Sequence, residues 1–297
     1  MPEPWKISLH GGHSGEFCEH GYHTLRQFLD AAVEYGYSTF GLSAHAPASS
    51  YSTDQRFLYE DEISAGLSTD ELSDRFSKYS TTSEELAHQY IDRIEVLRGA
   101  EVEVVPEDQF AAQAKNLVNR YNLDYIVGSV HWVDDTPFDF NNNYFKIAVN
   151  GRGNLQQFLI RYYELVETMI EQLNPEVIGH LDLPRLFSEG SPEHESQKTK
   201  QAIDSLLQLA AENGTILDLN VSALRKGLLT PYCSPWIVKR ANELGVPFCF
   251  GDDSHSIEEV GAFIDQGRDY LLANGVETIT TLTRRNKTIS KKIIPLI

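Results

Sequence analysis

Tyr125-Ile-Val-Gly-Ser-Val-His131 (YIVGSVH) is a short apolar run that stops at a histidine, and the same construction recurs along the chain. Trp5–Leu9 runs into His10 and His13 (SLHGGHS). Ser38–Ser43 ends near His45 (GLSAH), Glu176–Gly179 meets His180 (VIGH), and Pro247–Phe250 leads into Asp253 and His255 (GDDSH). Two further runs are Ala100–Val105, which opens with Glu101 (GAEVEV), and Thr215–Asn220. β-branched runs bounded by turn residues read as strands.

Between these strands lie amphipathic stretches that predict helices over Tyr22–Tyr35, Ser83–Leu97, Glu107–Tyr121, Leu155–Leu173, Glu193–Glu212 and Pro235–Leu244, with a last one from Ile257 to about Asn274. Asn174-Pro175 and Asn213-Gly214 punctuate helix ends, as residues that cannot continue a helix should. Seven β–α repeats without an internal boundary predict one α/β domain over residues 1–297, a TIM-like barrel of parallel strands. Two connections, at about 46–82 and 132–154, are longer than such units need. Both follow strands, so they are expected over the C-terminal face, where barrels build their sites. The tail after Asn274, with Arg284, Arg285, Lys287, Lys291 and Lys292, is expected to close the barrel or cross its bottom.

Composition narrows the function. Of 297 residues, 25 are basic and 43 acidic, a formal net charge of −18, while 41% are hydrophobic, enough for a sizeable core. An acidic chain lacks the basic footprint that a nucleic acid or anionic membrane requires, so neither is the expected partner. No signal-peptide pattern or membrane-length apolar run is visible, and three cysteines (Cys18, Cys233, Cys249) form no disulfide framework. A cytoplasmic protein is expected.

In a barrel the strand ends converge on one axial cavity, which here would hold His10, His13, His45, Glu101, His131, His180, Asp253 and His255. His20, in the loop after the first strand, is expected to join them. Imidazoles and carboxylates are the ligands of Zn, Mn and Fe, and this set exceeds what one ion needs. A bridging carboxylate such as Glu101 holds two cations close together, and paired cations clamp a phosphoryl group during displacement. Such a centre binds phosphate whatever the net charge of the protein. Asp252 reads as a capping neighbour, Cys18 and Cys249 as packed thiols, His23, His88 and His194 as helix-surface residues.

These residues together resemble the polymerase and histidinol phosphatase (PHP) superfamily, and within it the monofunctional histidinol-phosphate phosphatases. The motifs are HGGHSGEFCEHG (His10, His13, His20), SAHAP (His45), RGAEVEV (Glu101), GSVHW (His131), IGHLDL (His180) and GDDSH (Asp253, His255). The resemblance implies a distorted (β/α)7 barrel with two or three divalent metals (Zn, Mn or Fe) that hydrolyses a small phosphate ester. Its most specific implication is conversion of L-histidinol phosphate to L-histidinol and phosphate, in histidine biosynthesis, by a metal-bridged hydroxide. Glu101, His131 and Asp253 are the candidate catalytic residues. Arg185 (HLDLPR) and Arg225 (LNVSALRKG) are candidates for the phosphate, each a bidentate donor.

One feature departs from the family, which has H-x-H on the first strand where this chain has His10-x-x-His13. In a regular strand that spacing points two side chains to opposite faces, so a bulge or turn at Gly11-Gly12 must restore convergence. Two alternatives stay open at this point. One is the same site acting on another phosphomonoester or a nucleotide phosphodiester, and the other is a non-catalytic metal-binding protein. An amidohydrolase-like barrel fits less well, because no matching lysine accompanies the fourth strand.

Overall fold

The computed structural model describes residues 3–48, 55–285 and 288–297. Residues 49–54 of the first long connection and Lys287 of the tail lie outside the described residues. The seven expected strands form one parallel sheet: β1 (Ile7–Ser8), β2 (Thr39–Leu42), β3 (Glu95–Glu103), β4 (Tyr125–Ser129), β7 (Val177–Ile178), β8 (Ile216–Asn220) and β9 (Phe248–Gly251), neighbours in that order. The sheet curls round until its ends meet. The Leu9 amide donates to the Phe250 carbonyl and the Asp253 amide to the His10 carbonyl, each at 2.8 Å. The result is a nearly closed α/β barrel.

Helices α1 (Leu25–Tyr35), α3 (Thr69–Gln89), α4 (Phe110–Tyr121), α6 (Leu155–Leu173), α7 (Gln197–Asn213), α9 (Pro235–Leu244) and α10 (Ile264–Ala273) connect the strands. Their ends carry strong local signals. Thr24 and Gln27 form a reciprocal capping box at the start of α1, and Asn154 caps α6. Among the described residues no helix is long and apolar enough to cross a membrane.

The third unit differs most from its expected form. The amphipathic pattern predicts helix over Ser83–Leu97, whereas α3 runs from Thr69 to Gln89 and β3 begins at Glu95. Tertiary contacts override the helical spacing. Val96 and Leu97 enter the core, and the buried Arg98 guanidinium donates to the Ser80 and Tyr121 carbonyls and to the Ser83 hydroxyl, tying β3 to α3. Glu101 consequently sits near the C-terminal end of its strand rather than at the start. The segment from Ile257 to Phe263 is turns, with helix only from Ile264.

Among the described residues both long connections carry regular structure. The first carries α2 (Glu60–Ser64) and most of α3. The second carries the hairpin β5 (Trp132–Val133) and β6 (Thr136–Pro137), then α5 (Asn142–Gly151). They pack on one another through a small apolar cluster of Phe57, Leu58, Leu72, Val105 and Trp132. The tail folds as an antiparallel hairpin, β10 (Thr278–Arg285) with β11 (Thr288–Pro295). It crosses the bottom of the barrel, where Arg284 pairs with Asp124 before β4 and Lys291 reaches the Gly214 carbonyl before β8.

Inside the barrel Tyr125 spans the strands, its hydroxyl donating to the Leu9 carbonyl at 2.7 Å. The ring lies over Gly99, where an added Cβ would meet it at 2.5 Å. Gly99→Ala should therefore lower stability by about 1–3 kcal/mol through overpacking, read as a lower urea midpoint with unchanged m-value.

Candidate metal centre

The strand ends deliver their side chains to a cavity of about 610 Å³ lined by His20, His45, Glu101, His131, His180, Asp253 and His255, together with Tyr59, Asp61, Asp139 and Lys226 among others. His10 and His13 lie fully buried behind this lining. The first-strand spacing is resolved as local geometry requires. The regular strand ends at Ser8, and the chain turns through Gly12 (φ 75°), where a Cβ would strike Leu42 at 2.7 Å. The His13 amide is anchored on the Ser254 carbonyl, and the rings of His10 and His13 converge to 5.8 Å between centroids.

Glu101 stands at the centre. Its backbone is held by the segment that follows β2, its amide donating to the Ala44 carbonyl and its carbonyl accepting from the Ala46 amide. Its carboxylate is 3.3 Å from His10, 3.9 Å from His13, 3.1 Å from His45, 3.8 Å from His131 and 3.2 Å from His180. Asp253 is the second carboxylate, 3.9 Å from His10 and 3.6 Å from His13, and it accepts from the Ser222 hydroxyl at 3.1 Å.

A further layer of acceptors fixes the imidazoles. A carboxylate only accepts, so the ring nitrogen facing it carries the proton. His10 donates from Nδ1 to Asp218 (2.8 Å), His20 from Nδ1 to Asp61 (2.7 Å), and His131 from Nδ1 to Glu103. His255 donates from Nδ1 to the Asp253 carbonyl at 3.0 Å. Each of these rings, when neutral, therefore presents an Nε2 lone pair to the interior. Nε2 of His10, His45 and His255 and both ring nitrogens of His13 are buried without a hydrogen-bond partner among the described residues. Buried polar atoms normally find partners, and lone pairs aimed at a common centre with their opposite nitrogens held by acceptors are how metal-ligating histidines are arranged.

Electrostatics agree. Burial opposes charge on His10, His45 and His131, yet Glu101 and its neighbouring carboxylates overcome it, holding His10 well above its ordinary pKa and His131 up at about 10. Burial prevails at His13 and His255, helped by adjacent imidazoles, and brings His255 down to about 3. Against burial, the surrounding imidazoles keep Glu101 well below the usual carboxylate range. A cavity that draws protons onto some imidazoles and expels them from others has a field that cations would satisfy, and the donor set suits divalent metals.

Five overlapping groupings have ligand atoms within 4.8 Å of one another: His10 with His180 and Asp253, His10 with His13 and Glu101, His13 with Asp253 and His255, Glu101 with His131 and His180, and Cys18 with His20, His45 and His255. Cys18, read from the sequence as a packed thiol, thus belongs to the last of them. The two arginines expected at the phosphate are engaged elsewhere, and neither lines the cavity. Arg185 is buried against Asp182, Glu189, Thr230 and the Pro231 carbonyl. Arg225 donates to the carbonyls of Asp252 and Asp253, which makes it a brace for the loop carrying Asp253. The cation that does line the cavity is Lys226, 4.0 Å from Asp253. Lys226 adjoins Arg225 in sequence, so spacing alone could not choose between them. Asp218 and Glu103 were also missed as supports. They sit two residues from Asn220 and Glu101, the period that puts side chains on one face of a strand.

Comparison with known proteins agrees with this geometry. A protein of Schizosaccharomyces pombe named as a probable histidinol-phosphatase is 31% identical over 97% of this chain and 94% of its own. The Saccharomyces cerevisiae histidinol-phosphatase is 28% identical over 89% of this chain and 87% of its own. Among solved structures, a provisionally assigned histidinol phosphatase of Listeria monocytogenes superposes with a TM-score of 0.76 at 24% identity, over 88% of this chain and 99% of that one. The Lactococcus lactis histidinol phosphate phosphatase, complexed with zinc, L-histidinol and phosphate, superposes with a TM-score of 0.70 at 16% identity, over 96% and 99%. At those identities the structures speak for the fold. The PHP domain model matches residues 10–222. That match opens on the first buried histidine of the cavity and takes in His13, His20, His45, Glu101, His131 and His180, stopping before β9 and Asp253, and the chain belongs to the PHP domain family.

Proposed function

We propose that this chain is a metal-dependent phosphomonoesterase that converts L-histidinol phosphate to L-histidinol and inorganic phosphate, a step of histidine biosynthesis. The observation that carries the reading is the convergence of imidazole lone pairs and two buried carboxylates at the mouth of a barrel whose full-length relatives are named histidinol-phosphatases. His10, His13, His20, His45, Glu101, His131, His180, Asp253 and His255 would hold two or three ions of the Zn, Mn or Fe class.

Divalent cations, when bound, supply Lewis-acid stabilisation of phosphoryl charge and lower the pKa of water. The chain's own residues do the rest. Glu101 and Asp253 fix the positions of charge, and Asp218, Glu103 and Asp61 hold His10, His131 and His20 in one tautomer. Lys226 sets an ammonium where a phosphate oxygen can receive it, and Arg225 keeps the Asp253 loop in place. Tyr59 joins His45 to Glu103, its hydroxyl donating to Glu103 at 2.9 Å and lying 3.2 Å from His45 Nδ1, so the first long connection closes one wall of the cavity.

Manganese-loaded protein should release phosphate from L-histidinol phosphate in strong preference to an aryl phosphate or a bis-aryl diester, and chelation should abolish the release. Cleavage of the diester alone would move the chain to phosphodiesterase chemistry. No release from any of the three would remove the substrate assignment. Asp218→Asn, which exchanges the charged acceptor beneath His10 for a neutral amide, should cost about 10–100-fold in metal affinity or activity, measured by metal titration and by phosphate release. Lys226→Met should lower kcat/KM by about 10–100-fold, the loss of one charge-assisted hydrogen bond, with metal content at the wild-type level.

A further inference from the structure

The cavity is lined by more negative charge than a phosphate site calls for. Beyond the proposed ligands it presents Glu60, Asp61 and Asp139 against a single cation, Lys226, among the described lining residues. Each carboxylate repels a phosphate dianion at short range. Two of the three are occupied, Asp61 by His20 at 2.7 Å and Glu60 by the Asn141 side-chain amide at 3.4 Å. Asp139 has its Oδ2 3.8 Å from His131 Nε2, and its Oδ1 is buried with no hydrogen-bond partner among the described residues.

The backbone around Asp139 is fixed on both sides. The Phe138 amide donates to the His131 carbonyl at 3.0 Å, with the Phe138 ring fully buried. Two residues beyond Asp139, Asn141 caps α5 by accepting from the amides of Asn143 and Tyr144. Phe140 packs on Tyr59 and Trp132, each at 5.6 Å between centroids, so an aromatic wall adjoins the carboxylate. A rigidly mounted carboxylate with an unengaged oxygen, in the lining of a cavity built for an anion, calls for a cation brought in by the ligand.

We propose that Asp139 binds the primary ammonium group of the substrate, with Phe140 and Tyr59 as the aromatic wall beside it. This rests on the reading of L-histidinol phosphate as substrate. In that molecule the ammonium-bearing carbon is next to the carbon that carries the ester oxygen. A phosphate held at the cations therefore puts the ammonium close to the metal-binding side chains, which is where Asp139 lies. The carboxylate thus selects amino-alcohol phosphates over plain alkyl phosphates.

The test compares kcat/KM for L-histidinol phosphate with that for 3-(imidazol-4-yl)propyl phosphate, which lacks only the amine (and the stereocentre it creates). Wild type should prefer the amine by about 10–100-fold, the worth of a charge-assisted hydrogen bond. In Asp139→Asn the ratio should fall to within a few-fold of one, and Asp139→Glu should recover part of the preference. Circular dichroism and metal content establish that the variants are folded and loaded. An unchanged ratio in Asp139→Asn, or equal loss on both esters, would overturn the subsite while leaving the phosphatase reading intact. Failure of wild type to act on L-histidinol phosphate would overturn that reading, and this subsite with it.

Discussion

A carboxylate that is 1% exposed, with five imidazoles within 4 Å, sits where a charge is most costly to keep. Removing an ion from water costs on the order of several kcal/mol even after relaxation, unless opposite charge and hydrogen bonds replace the solvent. At Glu101 the replacement is partial. The Ser129 hydroxyl donates to it at 2.6 Å, and the surrounding imidazoles are neutral donors or acceptors unless protonated. The rest of the mouth follows from satisfying this one group. The imidazoles are drawn from the ends of β1, β2, β4 and β7 because only a closed barrel can bring that many rings to one buried oxygen pair.

Such an arrangement would rearrange freely if the rings could turn. They are prevented by a second shell of acidic acceptors, Asp218 under His10 and Glu103 under His131, each on the face of its strand that points inward. These carboxylates raise the basicity of the rings they hold and so strengthen them as ligands, at the cost of adding negative charge to an already acidic interior. The excess explains why the cavity suits divalent cations rather than an ordinary hydrogen-bonded network. Cations neutralise both shells at once, whereas protons would have to be shared among rings whose affinities for them are pushed in opposite directions.

Much of this is legible in the sequence because a parallel barrel turns chain position into spatial position. A histidine that ends a β-branched run must lie at the mouth, so His131 and His180 could be located from local pattern alone. Local pattern failed where a side chain's role depends on its far end. Arg185, Arg225 and Lys226 all follow strands, and nothing in their spacing says that the first reaches sideways to Asp182 and Glu189, the second back to backbone carbonyls, and only the third into the cavity. Helical spacing misled at Ile91–Leu97 for a related reason. Burial of Arg98 against α3 decides that segment, and burial is a property of the neighbours rather than of the segment.

The two long connections show how an acidic chain can serve an anionic ester. Net charge acts over distances that salt screens within roughly 10 Å, so inside the cavity the local groups decide. The strand ends would supply positive charge through bound cations, and Lys226 adds to it. The connections supply the opposite sign, with Glu60 and Asp61 from one and Asp139 from the other, joined where Asn141 meets Glu60. Strand ends, fixed by the sheet, carry the chemistry common to the barrel. The connections, fixed mainly by packing on each other through Tyr59, Trp132 and Phe140, can change without disturbing it. A substrate with both an anionic and a cationic end fits that division of labour, and a simple phosphate ester fits only half of it.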